Sequence, residues 1–476
     1  MSDAALPHSV NELLRKTIHI AFGFAAISLA YLTWQIAAIV AAVFVLGNWL
    51  VLHRVVGRRV SRSARGYDAG IVLYPLTVLI GILIFRHQIE IAGLMWTMLA
   101  FGDGFAGLIG KTLGGPRLPW NRDKSWSGFA AFIVAGTIGS YPIYVALQNG
   151  RTWLPSIVVV AATAVVAAIA ESLVTNIDDN LVVPFATAVA AFILVAPEPP
   201  RFLIGDCGMC GPTWTWLIVN AVLAVIGYLA KSVDLSGMLG GLVLGAIILI
   251  CGGLPLYLAL LMFFVIGTAA TKLGYKRKAQ EGLAQEKSGR RGFSHAFANT
   301  GVAALCAMAY AANHGTLLAN DMLILIWFAA VAALATACAD TVGSEIGQLL
   351  GRRAFLPLTL HSVPRGTEGA VSIEGTVAGA LGALCVSWVG VAGFIVPMLS
   401  PAQYVGAIAR VIVHREFVPA IVFVTACAVA GSYVESIIGN WNRRQEKPIP
   451  NGVLNYVNTL IGAALVIGIG PFVVSS

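Results

Sequence analysis

Apolar runs of about seventeen to twenty-five residues recur along the whole chain and leave it little choice of fold. A run of that length crosses the hydrocarbon core of a bilayer as a helix, because a helix satisfies its own backbone hydrogen bonds where no water is present. Candidate spans fall at about 18–34, 36–53, 70–86, 89–102, 127–147, 154–173 and 181–197. A second set falls at about 214–231, 236–252, 254–271, 296–312, 321–338, 370–397, 417–438 and 453–474. The expected fold is all-α: a polytopic integral membrane protein of about 15 transmembrane helices. Hydrophobic residues make up 58% and charged residues 11%, which excludes a soluble globule.

The cations orient this layout. Arg15 and Lys16, the run 54–65, Lys111 to Lys124, Lys272 to Arg291, Arg352, Arg353, Arg365, Arg443 and Arg444 share one side, against Arg86, Arg151, Arg201, Arg410 and Arg415 on the other. Positive residues collect on the cytosolic face, so the N-terminus is expected in the cytosol and the C-terminus outside, in a multi-pass protein of the cell inner membrane. The net charge of +8 then points to anionic lipid headgroups or nucleotides as partners, not nucleic acid. No cleavable signal is expected. The Pro- and Gly-bearing stretch 197–212 separates two halves, giving domains 1–200 and 213–476 with a connector at 201–212. Cys207 and Cys210 form a lone C-x-x-C there, read as a local disulfide or plain connector, since a zinc site needs two further ligands. The other five cysteines lie in apolar runs, where a thiol acts as a small hydrophobe.

Polar residues out of place carry the chemistry. The island Gly102–Gly128 sets Asp103 at the end of a span, glycines at 102, 104, 107, 110, 114 and 115, and cations at Lys111, Arg117, Arg122 and Lys124. Glycine lets backbone amides approach an anion, cations neutralise it, and a carboxylate can hold the magnesium that bridges phosphates. The plainer reading is a tight cytosolic loop. A Walker A site is excluded, because the first glycine before Gly110-Lys111-Thr112 would fall at Phe105. Arg15, Lys16, His19, Glu171, Asp178, Asp179 and Asn180 gather at the same boundary as Asp103, where ionisable groups usually pair, bind metal or react. One of Asp178 and Asp179 also suits a helix cap.

These residues carry a resemblance. E-x-x-R-K-x-x-H at Glu12–His19, G-I-V-L-Y-P at Gly70–Pro75, G-D-G-F-A-x-x-x-G-K-x-x-G at Gly102–Gly114, R-L-P-W-N-x-x-K-S-W-S-G at Arg117–Gly128 and E-S…D-D-N-L-x-V-P at Glu171–Pro184 resemble the phytol kinase and dolichol kinase (polyprenol kinase) family. The resemblance implies phosphorylation of a long isoprenoid alcohol by CTP or another NTP. It implies Asp103 as ligand of Mg²⁺; Lys111, Arg117, Lys124 and Ser125 cradling phosphates with the amides of Gly102, Gly110 and Gly114; and Asn180 beside them. Glu171 or Asp179 would hold a second metal or accept the alcohol proton, and Arg15, Lys16 and His19 would close the site.

The second half carries D-T-x-x-S-E-x-G at Asp340–Gly347, V-P-x-G-T-x-G-x-V-S at Val363–Ser372 and S-x-x-G at Ser436–Gly439. These resemble the membrane family that includes the phytyl-phosphate kinases, with Glu435 in place of an aspartate and Thr268-Ala-Ala in place of a serine pair. The resemblance implies metal binding by Asp340 and Glu345, phosphate handling by Lys272, Lys278, Arg291 and Arg365, and further contacts from Asn299, Gly366 and Thr367. Asp103, Gly110 and Gly114 repeat the spacing of Asp340, Gly347 and Gly351, either by chance or as an internal repeat. Together the halves predict a bifunctional kinase taking an isoprenoid alcohol to its monophosphate and then its diphosphate. The alternatives are a phosphatidate- or prenyl-phosphate cytidylyltransferase and a transporter. Isoprenoid chain length and oligomeric state are not legible in the residues.

Overall fold

The computed structural model describes residues 8–52, 69–148, 154–173, 178–195, 213–282, 290–313, 320–367, 369–395, 417–442 and 451–474. Cys207 and Cys210 lie outside the described residues, as does the side chain of Arg15. The protein is an all-α integral membrane protein. Among the described residues eight helices are long and apolar enough to cross a bilayer, and five shorter apolar helices of 10–17 residues accompany them. The chain divides into two compact units, Met1–Arg201 and Phe202–Ser476.

In the first unit, α1 (His8–Phe24) leads into a 3₁₀ turn, followed by α2 (Trp34–Gly47) and α3 (Ala69–Ile84). Next comes one continuous helix, Ile89–Thr112, made of α4 (Ile89–Thr97), a π-helical turn (Met98–Asp103) and α5 (Gly104–Thr112). α6 (Trp126–Leu147), α7 (Ser156–Leu173) and α8 (Asp179–Leu194) complete the unit. The glycine-rich island therefore does not begin as a loop: the helix runs on through Gly104–Thr112 and ends where Gly114 takes a left-handed φ of 61°. Glycine serves helix packing here. A Cβ at Gly102 would lie 2.6 Å from the Phe132 ring, and one at Gly110 would lie 3.2 Å from both Gly128 Cα and Ser125 Oγ. Small residues let membrane helices approach closely, so glycine density marks the α5–α6 contact. Gly110→Val is expected to lower the thermal midpoint in detergent through overpacking of about 1–3 kcal/mol. Gly47→Val, where nothing lies within 4 Å, should leave it unchanged.

The outer face of α6 is apolar at Val134, Ile138, Tyr141 and Val145, all exposed at helical spacing, as a lipid-facing stripe requires. In the second unit, α9 (Thr213–Leu229) precedes α10 (Leu235–Lys272), which kinks at Gly253 (φ 72°) and so carries two of the expected spans. After α11 (Tyr275–Gln280) and α12 (Phe293–Asn313) comes α13 (Asn320–Leu350). A small antiparallel hairpin, β1 (Ala354–Phe355) with β2 (Ser362–Val363), leads to α14 (Ile373–Ile395), and α15 (Phe417–Asn442) and α16 (Asn451–Val474) follow. α13 is the axis of this unit, packing on α10, α12, α14, α15 and α16. Its segment Ala329–Ala335 is wholly buried, and glycines face it: a Cβ at Gly379 would meet the Ala339 carbonyl at 2.6 Å.

Candidate active site

The π-helical turn sets the register of Asp103. A π turn holds one extra residue and re-aims the side chains around it, and such turns recur at functional sites. Asp103 thus lies nine residues before the end of the continuous helix, about 13 Å along its axis, buried beneath the loop rather than at the helix end. From α1, Lys16 Nζ donates to Asp103 Oδ2 (2.8 Å) and to the Asp103 carbonyl (3.1 Å). His19, one turn on, donates from Nε2 to the Leu99 carbonyl (2.9 Å) and stands 3.8 Å from Asp103 Oδ2. Tyr74 packs edge-on against His19, with ring centroids 4.4 Å apart, and its hydroxyl accepts from Trp96 Nε1 at 3.0 Å. The G-I-V-L-Y-P motif therefore supplies this supporting tyrosine, to which sequence reasoning gave no role.

Lys124 reaches the site because its loop is docked. Asn121 Nδ2 donates to the Ser172 carbonyl (2.8 Å) and Trp120 Nε1 to Ser172 Oγ (3.2 Å), pinning the loop to the end of α7. Ser125 then caps α6, its hydroxyl accepting from Gly128 N at 3.2 Å. Held so, Lys124 ion-pairs with Glu171 and lies 3.6 Å from Asp179 Oδ2. Burial alone would lower the Lys124 pKa, but the carboxylates of Asp179 and Glu171 outweigh it and hold the ammonium above the usual lysine value. Asp178 is the helix cap, its Oδ1 accepting from Asn180 N (2.9 Å) and Asn180 Nδ2 (2.6 Å), which leaves Asp179 to face inward.

The result is a cluster. One carboxylate oxygen each from Asp103, Glu171 and Asp179 lies within 4.8 Å of the others. Three carboxylates face two ammonium groups, Lys16 and Lys124, an oxygen-rich set that a cation can enter. All the donors are hard oxygens, which suits Mg²⁺, an ion usually held by one or two carboxylates together with substrate phosphates. Lys111 and Arg117 are not brought to the carboxylates. Lys111 is exposed at the helix end, and Arg117 is exposed with its guanidinium on the Asp123 carbonyl (3.2 Å).

The second unit arranges its residues differently. Lys278 is fully buried, ion-paired with Glu345 and donating to the carbonyls of Thr271 (3.2 Å) and Ala270 (3.4 Å) at the end of α10. Arg291 donates to Thr271 Oγ1 (3.1 Å) and acts electrostatically on both Asp340 and Glu345. Asp340 and Glu345 stand five residues apart on α13, and among the described residues no third His, Cys or acid joins them as in the first unit. Buried oxygens of Asn299, Asn458 and Glu345 have no hydrogen-bond partner among the described residues. Lys272 donates to the Ala230 carbonyl (3.2 Å). Arg365 pairs with Glu281 (3.4 Å), while Gly366 and Thr367 lie on the same loop, Thr367 Oγ1 donating to the Pro364 carbonyl at 2.7 Å.

The spacing echo between the halves has matching contacts. Gly110 packs on Ser125 and Gly128, with Ser125 Oγ accepting from Gly128 N. Gly347 packs on Ser372 and Gly375, with Ser372 Oγ accepting from Gly375 N at 3.1 Å. Each pair precedes the next membrane helix, and each loop makes an antiparallel bridge just before it, Arg117 with Ser125 and Phe355 with Val371.

Comparison with known proteins finds relatives of the chain and places the second unit in a family. A membrane protein of Synechocystis sp., described as uncharacterized, is 34% identical over 260 residues, covering 54% of this chain and 91% of its own. Protein VTE6, chloroplastic, of Arabidopsis thaliana is 32% identical over 270 residues, 56% of this chain and 74% of its own. A probable phytol kinase 2, chloroplastic, of Glycine max is 32% identical over 131 residues, 26% of this chain; the chain spans 45% of that relative. No solved structure matches the chain. The pattern of the family described as Integral membrane protein DUF92 matches residues 218–461, half of the sequence and most of the second unit, and the protein belongs to that family.

Proposed function

We propose that the protein is a bifunctional membrane phosphotransferase: the first unit phosphorylates an isoprenoid alcohol and the second phosphorylates the resulting monophosphate, with CTP or another NTP as donor. The Asp103–Glu171–Asp179 cluster flanked by Lys16 and Lys124 carries this reading. The names of relatives, among them phytol kinases, support a kinase acting on an alcohol with an isoprenoid tail. The intermediate is an amphiphile, so one chain with both sites at headgroup level raises its effective concentration at the second site. On the positive-inside layout both sites face the cytosol.

The residues divide the work as follows. Asp103 and Glu171 would hold Mg²⁺, which when bound would offset the charge of the transferring phosphates. Lys16 fixes the Asp103 carboxylate, and Lys124 turns from Glu171 to the phosphate oxygens. The alcohol oxygen bonds to the terminal phosphorus while the bond to the nucleoside diphosphate oxygen breaks. Asp179 takes the alcohol proton, being the acid that Lys124 grips less closely. In the second unit Asp340 is the metal-binding acid, and Glu345 is the buried strut of Lys278.

Purified protein in detergent, given geranylgeraniol or phytol, Mg²⁺ and γ-labelled CTP, is expected to pass label to lipid. EDTA should abolish transfer and added Mg²⁺ restore it. Pyrophosphate release with a lipid phosphate and no label in lipid would instead identify a cytidylyltransferase. Solute movement in vesicles without nucleotide use would identify a transporter.

A further inference from the structure

In the second unit a cleft of about 720 Å³ opens where α9, the end of α10 and the start of α11 meet the strand-like segment before α12. Five of its eleven lining residues are cations, Lys231, Lys272, Lys276, Arg290 and Arg291, and none is acidic. Among the described residues no carboxylate lies within 4.0 Å of any of the five. Cations nearby that face elsewhere are neutralised: Arg277 and Arg365 both pair with Glu281, and Lys278 with Glu345. The cleft thus gathers five cations with no ion-pair partner among the described residues into one concavity. Membrane topology asks only that cations lie on one face; it does not ask that five of them line one cleft whose lining holds no acid.

The floor is built. Arg291 is fixed through its backbone, its N donating to the Ser232 carbonyl and its carbonyl accepting from Asp234 N, both 3.1 Å, and through its side chain on Thr271. Lys272 is tied to the Ala230 carbonyl, and the hydroxyls of Ser232, Thr268 and Thr271 line the same space. Converging ammonium, guanidinium and hydroxyl donors match phosphate oxygens, and the volume accommodates a nucleotide-sized ligand. Because Arg291 also acts on Asp340 and Glu345, the cleft adjoins the acids of the second unit.

The geometry points to this cleft as a phosphate-binding site for a ligand of two or more negative charges, with Lys231, Lys276 and Arg290 as binding residues. The same chemistry is offered by the phosphate chain of a nucleoside triphosphate and by the headgroup of a prenyl monophosphate, and the choice of these probes rests on the kinase reading.

Equilibrium binding of inorganic tripolyphosphate and of geranylgeranyl monophosphate to the full-length protein in detergent tests the assignment, without turnover. Lys276→Gln with Arg290→Gln removes two exposed cations that have no ion-pair partner among the described residues. Lys231→Gln is an independent second variant, and Arg277→Gln, outside the lining, is the control. The double variant is expected to weaken binding about tenfold or more, with Arg277→Gln like the parent. Weakening for tripolyphosphate alone assigns the cleft to the donor; weakening for the monophosphate alone assigns it to the lipid acceptor; weakening of both seats both. Parental dissociation constants for both probes in the double variant and in Lys231→Gln, or equal weakening by Arg277→Gln, overturn the proposal. A protein that binds these probes but transfers no phosphate would refute the kinase reading and leave the cleft standing.

Discussion

Asp103→Asn is expected to lose alcohol phosphorylation by at least about 10²–10³-fold while still converting supplied monophosphate to diphosphate. The substitution keeps the shape of the side chain and removes one anionic oxygen donor from the cluster it forms with Glu171 and Asp179. Lys16 keeps its bond to the Asp103 carbonyl at 3.1 Å, so the α1 contact survives. With Asp103 neutral, the cluster offers a cation one anionic oxygen donor fewer beside Glu171 and Asp179. Because Lys16 and Asp103 form a buried ion pair, the variant is also expected to melt below the parent, and the loss of the first step is therefore read per amount of folded protein. Product analysis with γ-labelled CTP separates the steps: alcohol fed to the variant should remain alcohol, and monophosphate should still gain label. Parental production of monophosphate from alcohol would remove the cluster from the reaction.

The membrane architecture was legible because apolar runs long enough to span a bilayer admit few other folds. The acids of the first unit were legible for the complementary reason, that Asp103, Glu171 and Asp179 interrupt such runs. Their convergence was legible only as a shared boundary. Bringing them within 4.8 Å took the π turn, which shows no signature in Met98–Asp103, and the docking of Trp120 and Asn121 on Ser172 about fifty residues away. Glycine density misled in one direction. At 102–110 it suggested a loop cradling an anion, whereas the backbone is helical and the missing side chains admit Phe132, Lys16 and Gly128. Lys231 gave no signal, a single lysine beside an apolar run, and becomes informative only when the fold sets it beside Lys276 and Arg290. Lys278 and Arg291 read alike in a basic loop, yet one is buried against Glu345 and the other lines the cleft.

The difference between two acids on α13 gives the second large effect. Asp340→Asn should halt the reaction at the monophosphate, and Glu345→Gln should reduce the amount of folded protein. Asp340 occupies the place in its helix that Asp103 has in the continuous helix of the first unit, seven residues before the glycine that packs on a serine-capped neighbour. It acts with Arg291, which opens to the cationic cleft and keeps Glu345 and the Thr271 hydroxyl as partners, so its loss is expected to remove metal and phosphate binding at a smaller cost in stability. Glu345 is instead the carboxylate on which the buried Lys278 ammonium depends, and both side chains are almost wholly inaccessible, at 1% and 3%. Breaking such a pair on one side typically destabilises by about 3–5 kcal/mol, since the remaining charge stays buried without a partner. Expression with thermal melting in detergent, beside product analysis from alcohol and CTP, reads both effects. Diphosphate at the parental rate from Asp340→Asn would move the second site elsewhere on the unit, whereas a parental melting point for Glu345→Gln would show that Lys278 finds sufficient support in the Ala270 and Thr271 carbonyls at the end of α10.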